Sequence, residues 1–375
     1  MSKNIEVKAY YADLELARKI CLELGATLTR SHSQTDTYLQ VPGGRLKMRE
    51  SNKFEPCLIY YNRLDMPEIR ESSYTKLPID KDYAEDFRRV LSESIGVRMR
   101  INKQRDTFEL DGALINIDNV EALGTFIEIE VDAERNPSAY EDAQGYAAWL
   151  KDKLKIDERD ILPWSYAELQ AMTIQATQWQ SRLVDCKQPV GRLFLIDGPS
   201  GSGKTTIAEM LREEDDLRLQ FVQRHCTRKS RTSEESEYVF VSIEDFKRSA
   251  RAGEFLEYRD FKFGMSYGLE WRNAISPLLE GKNALALMNW GNARHVKRLF
   301  PEARLILITA SEDDLKRRLV SRGTHDEAQL AERLGNARRI AGNGADHHLV
   351  VQNNDGRLAS SIKTIRRFIA EQSIS

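Results

Sequence analysis

From Asn4 to Glu134 the chain alternates apolar and charged positions. Ile5 and Val7 lie between Asn4, Glu6 and Lys8, and Leu46 and Met48 between Arg45, Lys47 and Arg49. Ile115 and Ile117 alternate with Asn116 and Asp118, as Ile127, Ile129 and Val131 do with Glu128 and Glu130. A period of two gives each strand one apolar and one charged face. The simplest arrangement is a half-buried antiparallel sheet whose charged face meets water. A second arrangement turns the apolar faces outward against helices, such as the amphipathic stretch 14–24, and the charged faces into an enclosed barrel. Buried charges persist there only when paired or ion-bound, so such a lumen calls for a divalent metal and a polyphosphate.

The pattern changes after residue 134. Residues 139–154 and 161–172 read as helices, the second entered through a turn at Pro163 and Trp164. Residues 173–190 are polar and glutamine-rich and end in Lys187-Gln188-Pro189, which reads as a linker. Beyond it, apolar runs at 193–196, 284–288, 305–309 and 348–351 alternate with helical stretches at 205–212, 243–252, 315–322, 326–341 and 358–371. That order predicts a parallel sheet covered on both faces, with ligands at the carboxyl ends of its strands. The expected organisation is two domains: an antiparallel β barrel with flanking helices over 1–172, a linker over 173–190, and an α/β domain over 191–375.

Composition narrows the picture little. The 375 residues are 41% hydrophobic and 30% charged with a net charge of −2, as in soluble globular proteins. No global field recruits nucleic acid or a membrane surface, and no apolar run is long enough to span a bilayer. The four cysteines (Cys21, Cys57, Cys186, Cys226) have no metal-binding spacing, which fits a reducing, cytoplasmic setting. His347 and His348 read as surface residues of a loop.

Sharper chemistry begins at residue 198. The run Gly198-Pro199-Ser200-Gly201-Ser202-Gly203-Lys204-Thr205-Thr206 follows the apolar stretch 192–197 and opens a helical pattern. Strand, glycine-dense turn and helix are the context of a phosphate-binding loop. Its glycines let backbone N–H groups converge on an anion at the positive end of a helix dipole. Lys204 then neutralises β/γ-phosphate charge and the Thr205 hydroxyl can ligate Mg²⁺. ATP is the expected donor.

Several segments of the first half, 4–8, 44–50, 58–63, 103–105 and 115–132, together resemble the CYTH family of class IV adenylyl cyclases, thiamine triphosphatases and inorganic triphosphatases. The resemblance, over about residues 3–170, implies an eight-stranded tunnel that takes triphosphates with Mg²⁺ or Mn²⁺. It implies metal binding by Glu6, Glu128 and Glu130, with Asp118 beside the metal. Lys8, Arg45, Lys47, Arg49, Arg63, Lys103 and Arg105 would bind phosphates. The family signature opens with glutamate where this chain has Asn4, which puts tight metal binding and full catalysis in doubt.

The second half resembles the guanylate kinase group at 225–246, 253–258, 266–268, 315–323, 333–337 and 353–355. This implies phosphoryl transfer from MgATP to an acceptor that already carries phosphate, helped by Arg318, Arg322 and Arg333 and with Asn354 at the nucleotide. Arg228, Arg231, Tyr238 and Tyr267 would hold the acceptor phosphate, with Glu234, Glu257 and Asn289 nearby. Leu269 and Asn289 replace polar and acidic residues that help recognise guanine, and leucine cannot hydrogen-bond a base edge. The segments 289–291 and 353–356 are closer to ribose 1,5-bisphosphate phosphokinases, so a sugar phosphate is favoured and a nucleoside monophosphate is the alternative. The expectation is thus a bifunctional protein, or a kinase regulated by a triphosphate-sensing tunnel. Partners are small phosphorylated molecules rather than membranes or nucleic acid, with a homodimer left open.

Overall fold

The computed structural model describes residues 2–134, 142–212, 215–230, 237–261, 264–288, 291–321, 323, 326–342 and 344–373. The chain divides into two compact units, Met1–Ala171 with Asp260–Gly264, and Met172–Arg259 with Met265–Ser375.

In the first unit the alternating strands are β1 (Ser2–Tyr10), β2 (Thr27–Leu39), β3 (Arg45–Ser51), β4 (Cys57–Asn62), β5 (Arg70–Pro78), β6 (Val97–Leu110), β7 (Ala113–Val120) and β8 (Gly124–Asp132). They close into an antiparallel barrel in the order β1-β5-β4-β3-β2-β6-β7-β8. The open half-buried sheet is thereby excluded. Val7 and Ala9, with Ile115, Ile117, Ile127 and Ile129, point outward into a core shared with α1 (Leu14–Glu23) and α3 (Ala143–Lys153). A third helix, α2 (Ala84–Ser94), packs Ala84 and Phe87 over Met48 and Leu58. With the apolar faces buried outside, the pleat leaves the charged positions no direction but inward. Register then matches opposite charges across strands: Lys8 faces Glu128, Asp36 faces Arg49, and Arg105 faces Asp118.

Helix α4 (Tyr166–Val184) corrects the expected linker, because residues 173–184 are helical and only 185–190 connect without regular structure. Glutamine and threonine made this stretch look like a linker, yet glutamine is a good helix former. Ala176 is buried, and the Gln180 amide donates to the Leu299 carbonyl at 2.7 Å.

The second unit is built on β9 (Leu193–Asp197), all five residues of which are buried. It further contains β10 (Leu219–Phe221), β11 (Arg224–Cys226), β12 (Tyr238–Phe240), β13 (Phe255–Asp260), β14 (Ser266–Glu270), β15 (Asn283–Leu287), β16 (Arg304–Thr309) and β17 (Leu349–Gln352). A parallel sheet runs β10-β15-β9-β16-β17. The helices are α5 (Lys204–Arg212), α6 (Ile243–Ala252), α7 (Trp271–Leu279), α8 (Ala293–Leu299), α9 (Glu312–Ser321), α10 (Glu327–Ala341) and α11 (Leu358–Ser373). Ile207 and Leu211 of α5 and Ile365 and Ile369 of α11 bury against Phe194, Ile196 and Ile308. A separate four-stranded sheet, β12-β11-β14-β13, was not anticipated from the sequence.

Candidate functional site: a charged barrel lumen and a phosphate loop

The barrel encloses a cavity of about 420 Å³ lined by eight cationic side chains (Lys8, Arg30, Lys47, Arg49, Arg63, Lys76, Lys103, Arg105) and five acidic ones (Glu6, Glu55, Glu128, Glu130, Asp132). Six of the seven expected phosphate-binding cations are therefore in the lining. Arg45 is the exception: it pairs with Asp65 at 2.7 Å and Glu168 at 3.0 Å, and acts as a structural tie. Two acids hold the cations in place from behind. Asp36, almost fully buried, accepts from Lys47 Nζ at 2.9 Å and Arg49 Nε at 2.8 Å. Asp118, fully buried, takes a two-pronged contact from Arg105 at 2.6 and 2.5 Å and a bond from the Tyr166 hydroxyl at 2.7 Å. Sequence reasoning missed Asp36. The alternation His32, Gln34, Asp36, Tyr38 along β2 was the signal that could have found it.

These contacts set the protonation states. Burial pushes the Asp118 carboxyl up, but Arg105 and Lys103 outweigh it and hold the group at about 2. Burial, reinforced by the Arg105 guanidinium, brings the Lys103 ammonium down to about 7. Glu128 is also raised by burial, yet Lys8 at 3.0 Å and Arg105 at 2.7 Å bring it well below the usual range. Glu130 goes the other way, raised by burial and by Glu128. Its hydrogen bonds come from neutral amides, Asn116 Nδ2 at 3.0 Å and Asn4 Nδ2 at 3.4 Å.

The expected metal set does not fit this arrangement. Glu6 is bound to Arg63 at 3.0 Å, Glu128 to Lys8 and Arg105, and Asp118 to Arg105. Among the described residues no group of three or more His, Cys, Asp or Glu is placed to hold an ion. Asn4 supplies the local reason: where a carboxylate would repel Glu130 and need a cation between them, its amide donates to Glu130 instead.

In the second unit the loop after β9 has the conformation its glycines predict. Gly198 has φ +147, and a Cβ there would lie 2.1 Å from the Ile308 carbonyl oxygen. At Gly203, φ +93, a Cβ would meet the Asn353 amide at 2.5 Å. Lys204 Nζ donates to the carbonyls of Gly198 at 2.6 Å and Pro199 at 2.8 Å. From α9, Arg318 donates to the Gly201 carbonyl at 3.1 Å and to Asn353 at 2.9 Å. Asn353 bonds the Ser202 carbonyl, whereas Asn354 caps Ser311, so Asn353 is the residue that touches the loop. Ser200 and Thr206 are exposed, Thr205 is half-buried, and the buried Ser202 hydroxyl has no partner among the described residues. Arg333 is exposed on α10, whose Leu334 and Ala337 pack on Leu315 and Leu319 of α9. His347, expected at the surface, has a fully buried imidazole 3.1 Å from Asp197 at the end of β9.

Acceptor candidates gather on the small sheet. Arg228 Nε donates to the Tyr267 hydroxyl at 3.1 Å and its guanidinium lies 5.0 Å from the centre of the Tyr238 ring. Glu257 is fully buried and accepts from Arg224 at 3.0 Å and Asn292 at 2.7 Å. Arg231, Glu234, Asn289 and Arg322 lie outside the described residues.

Residues 190–372 match the Guanylate kinase family and residues 2–166 match the CYTH domain. The guanylate kinase of Hahella chejuensis is 35% identical over 168 residues, 44% of this chain and 80% of that protein. The chain belongs to the guanylate kinase family. A guanylate kinase of Chlamydia trachomatis is 32% identical over 184 residues, 48% of this chain and 88% of its own length. The solved guanylate kinase of Anaplasma phagocytophilum is 21% identical with a TM-score of 0.40, over 50% of this chain and 89% of that one. Its guanylate kinase-type domain follows, in the chain, a closed eight-stranded barrel whose residues match the CYTH domain. No helix among the described residues is long and apolar enough to cross a membrane.

Proposed function

We propose that the second unit transfers the γ-phosphoryl group of ATP to a small acceptor that already carries phosphate. The convergence of Lys204 and Arg318 on the carbonyls of one glycine loop carries this reading. The orphaned Ser202 hydroxyl and the cradle at Gly198 and Gly203 suit a phosphate tail, with the Thr205 hydroxyl as the Mg²⁺ ligand. Held by Thr205, the ion would supply positive charge against that of the donor phosphates. The protein's share is placement: Lys204 and Arg318 neutralise the donor, and Arg228 with Tyr238 and Tyr267 orients the acceptor phosphate. A sugar phosphate of the ribose 1,5-bisphosphate kind is favoured because Leu269 is fully buried on β14 and offers no hydrogen bond to a base. GMP is the second reading, favoured by the names of the relatives.

In the same proposal the barrel binds the tail of a triphosphate or polyphosphate. Its cations support binding, and the engaged carboxylates favour a sensing role over hydrolysis or cyclisation. The decisive experiment supplies MgATP and a panel of phosphorylated acceptors to the full chain and measures ADP release. Release with a sugar bisphosphate or a nucleoside monophosphate is the expected result; none with any acceptor removes the reading.

A further inference from the structure

The small sheet spreads four side chains across its four strands. Register pairs Tyr238 on β12 with Arg224 on β11, and Tyr267 on β14 with Cys226, two residues along from Arg224. Continuing that antiparallel register puts Leu269 across from Arg224. Glu257 on β13 completes the row through its bond to Arg224. Arg224 is 6% exposed, its guanidinium lies 5.9 Å from the centre of the Tyr267 ring, and its Nε is buried with no partner among the described residues. An arginine held by a fully buried carboxylate, facing a leucine and flanked by a tyrosine, is an arrangement neither the kinase chemistry nor the barrel explains.

We propose that Arg224 sets the choice of acceptor. The proposal rests on the phosphoryl-transfer reading and deepens it. A carboxylate such as Glu257 is the natural partner for the adjacent N–H donors of a guanine edge. Here one carboxylate oxygen faces Arg224 and the other the Asn292 amide. With Glu257 so occupied and Leu269 apolar, this part of the sheet presents donors rather than a free carboxylate. A sugar phosphate, whose hydroxyl and phosphate oxygens accept hydrogen bonds, matches such donors, whereas the N1–H and N2–H edge of guanine, which needs a free acceptor, does not. Arg224 acts through Glu257 and is a positioning residue: it discriminates by holding a carboxylate that would otherwise accept from a guanine edge.

The test uses the full chain and two acceptors, GMP and ribose 1,5-bisphosphate, with Arg224→Ser and Arg224→Lys. Binding of each acceptor is measured by calorimetry without ATP, and kcat and KM with MgATP. The wild type should favour the sugar bisphosphate. Arg224→Ser should shift the ratio of the two affinities toward GMP by tenfold or more, mostly in KM, while Arg224→Lys keeps the wild-type order. Should the serine variant fail to give a cooperative melting transition, Arg224→Gln carries the same measurement. A folded variant whose ratio stays within twofold of wild type overturns the proposal, as does a wild type that binds GMP more tightly. Absence of phosphoryl transfer to either acceptor in the wild type removes both as substrates and leaves the kinase reading to the wider acceptor panel, while the binding ratio still decides the role of Arg224.

Discussion

In the proposed function the two halves meet phosphate in opposite ways. The loop after β9 offers backbone: its glycines bring main-chain groups close, and Lys204 and Arg318 add charge from side chains. The barrel offers long side chains on rigid strands, and because they are buried each needs a counter-charge of its own. Asp36 and Asp118 supply it. Backbone recognition is compact and local. Side-chain recognition in a lumen is distributed, and its ion pairs serve stability and binding at once.

The strongest way to separate the two is Lys204→Ala. Loss of one preorganised charge at a phosphoryl-transfer site typically costs ~10²–10³-fold in rate, so ADP release should fall by that much while polyphosphate binding to the barrel is unchanged. A parallel loss of polyphosphate binding would show that the loop, not the barrel, binds it.

Arg105→Ala probes the other side. It strips a cation from the buried Asp118 and from Glu128, and breaking such a pair costs about 3–5 kcal/mol. Urea denaturation should show an earlier barrel transition, with kinase activity retained under native conditions. An unchanged midpoint would mean that Lys103 alone can neutralise Asp118.

The smallest expected effect is on pH. Lys103, at about 7, is charged below that value and neutral above it. A polyanion binds the charged form better, so affinity for tripolyphosphate should weaken as pH rises from 6 to 8.5, with proton uptake on binding near pH 7. Kinase affinity for ATP should not follow the same curve. Calorimetry in buffers of different ionisation enthalpy measures both, and flat tripolyphosphate affinity over this range would remove Lys103 from the site.

How far the sequence reveals each half follows from the same contrast. The phosphate loop is contiguous, so Gly198–Thr206 announces itself in nine residues. The barrel is legible through alternation, since Ile127, Glu128, Ile129 and Glu130 can satisfy both faces only as a strand between apolar core and charged lumen. Strands β11 and β12 escaped notice because each is three residues long, and β11 carries Arg224 and His225 where an apolar pattern would mark a strand. Helix α4 was hidden by its glutamines. Alternation along β2 marks Asp36 and the family resemblance marks Glu257, but the partners that hold them, Lys47 and Arg49 for one and Arg224 and Asn292 for the other, come from other elements. His347 was misjudged for a related reason: its burial comes from Asp197, 150 positions away.

Strand β1 is held between β5 and β8, with Ile5 beside Glu71 on one side and Val7 beside Ile129 on the other. During synthesis the amino-terminal segment leaves the ribosome first yet acquires its second neighbour last. Ring closure therefore waits on contacts of long sequence separation, which are slow to form. A nascent chain that stops short of residue 124 has no β8 to complete the ring and leaves one side of β1 open to pairing with another chain.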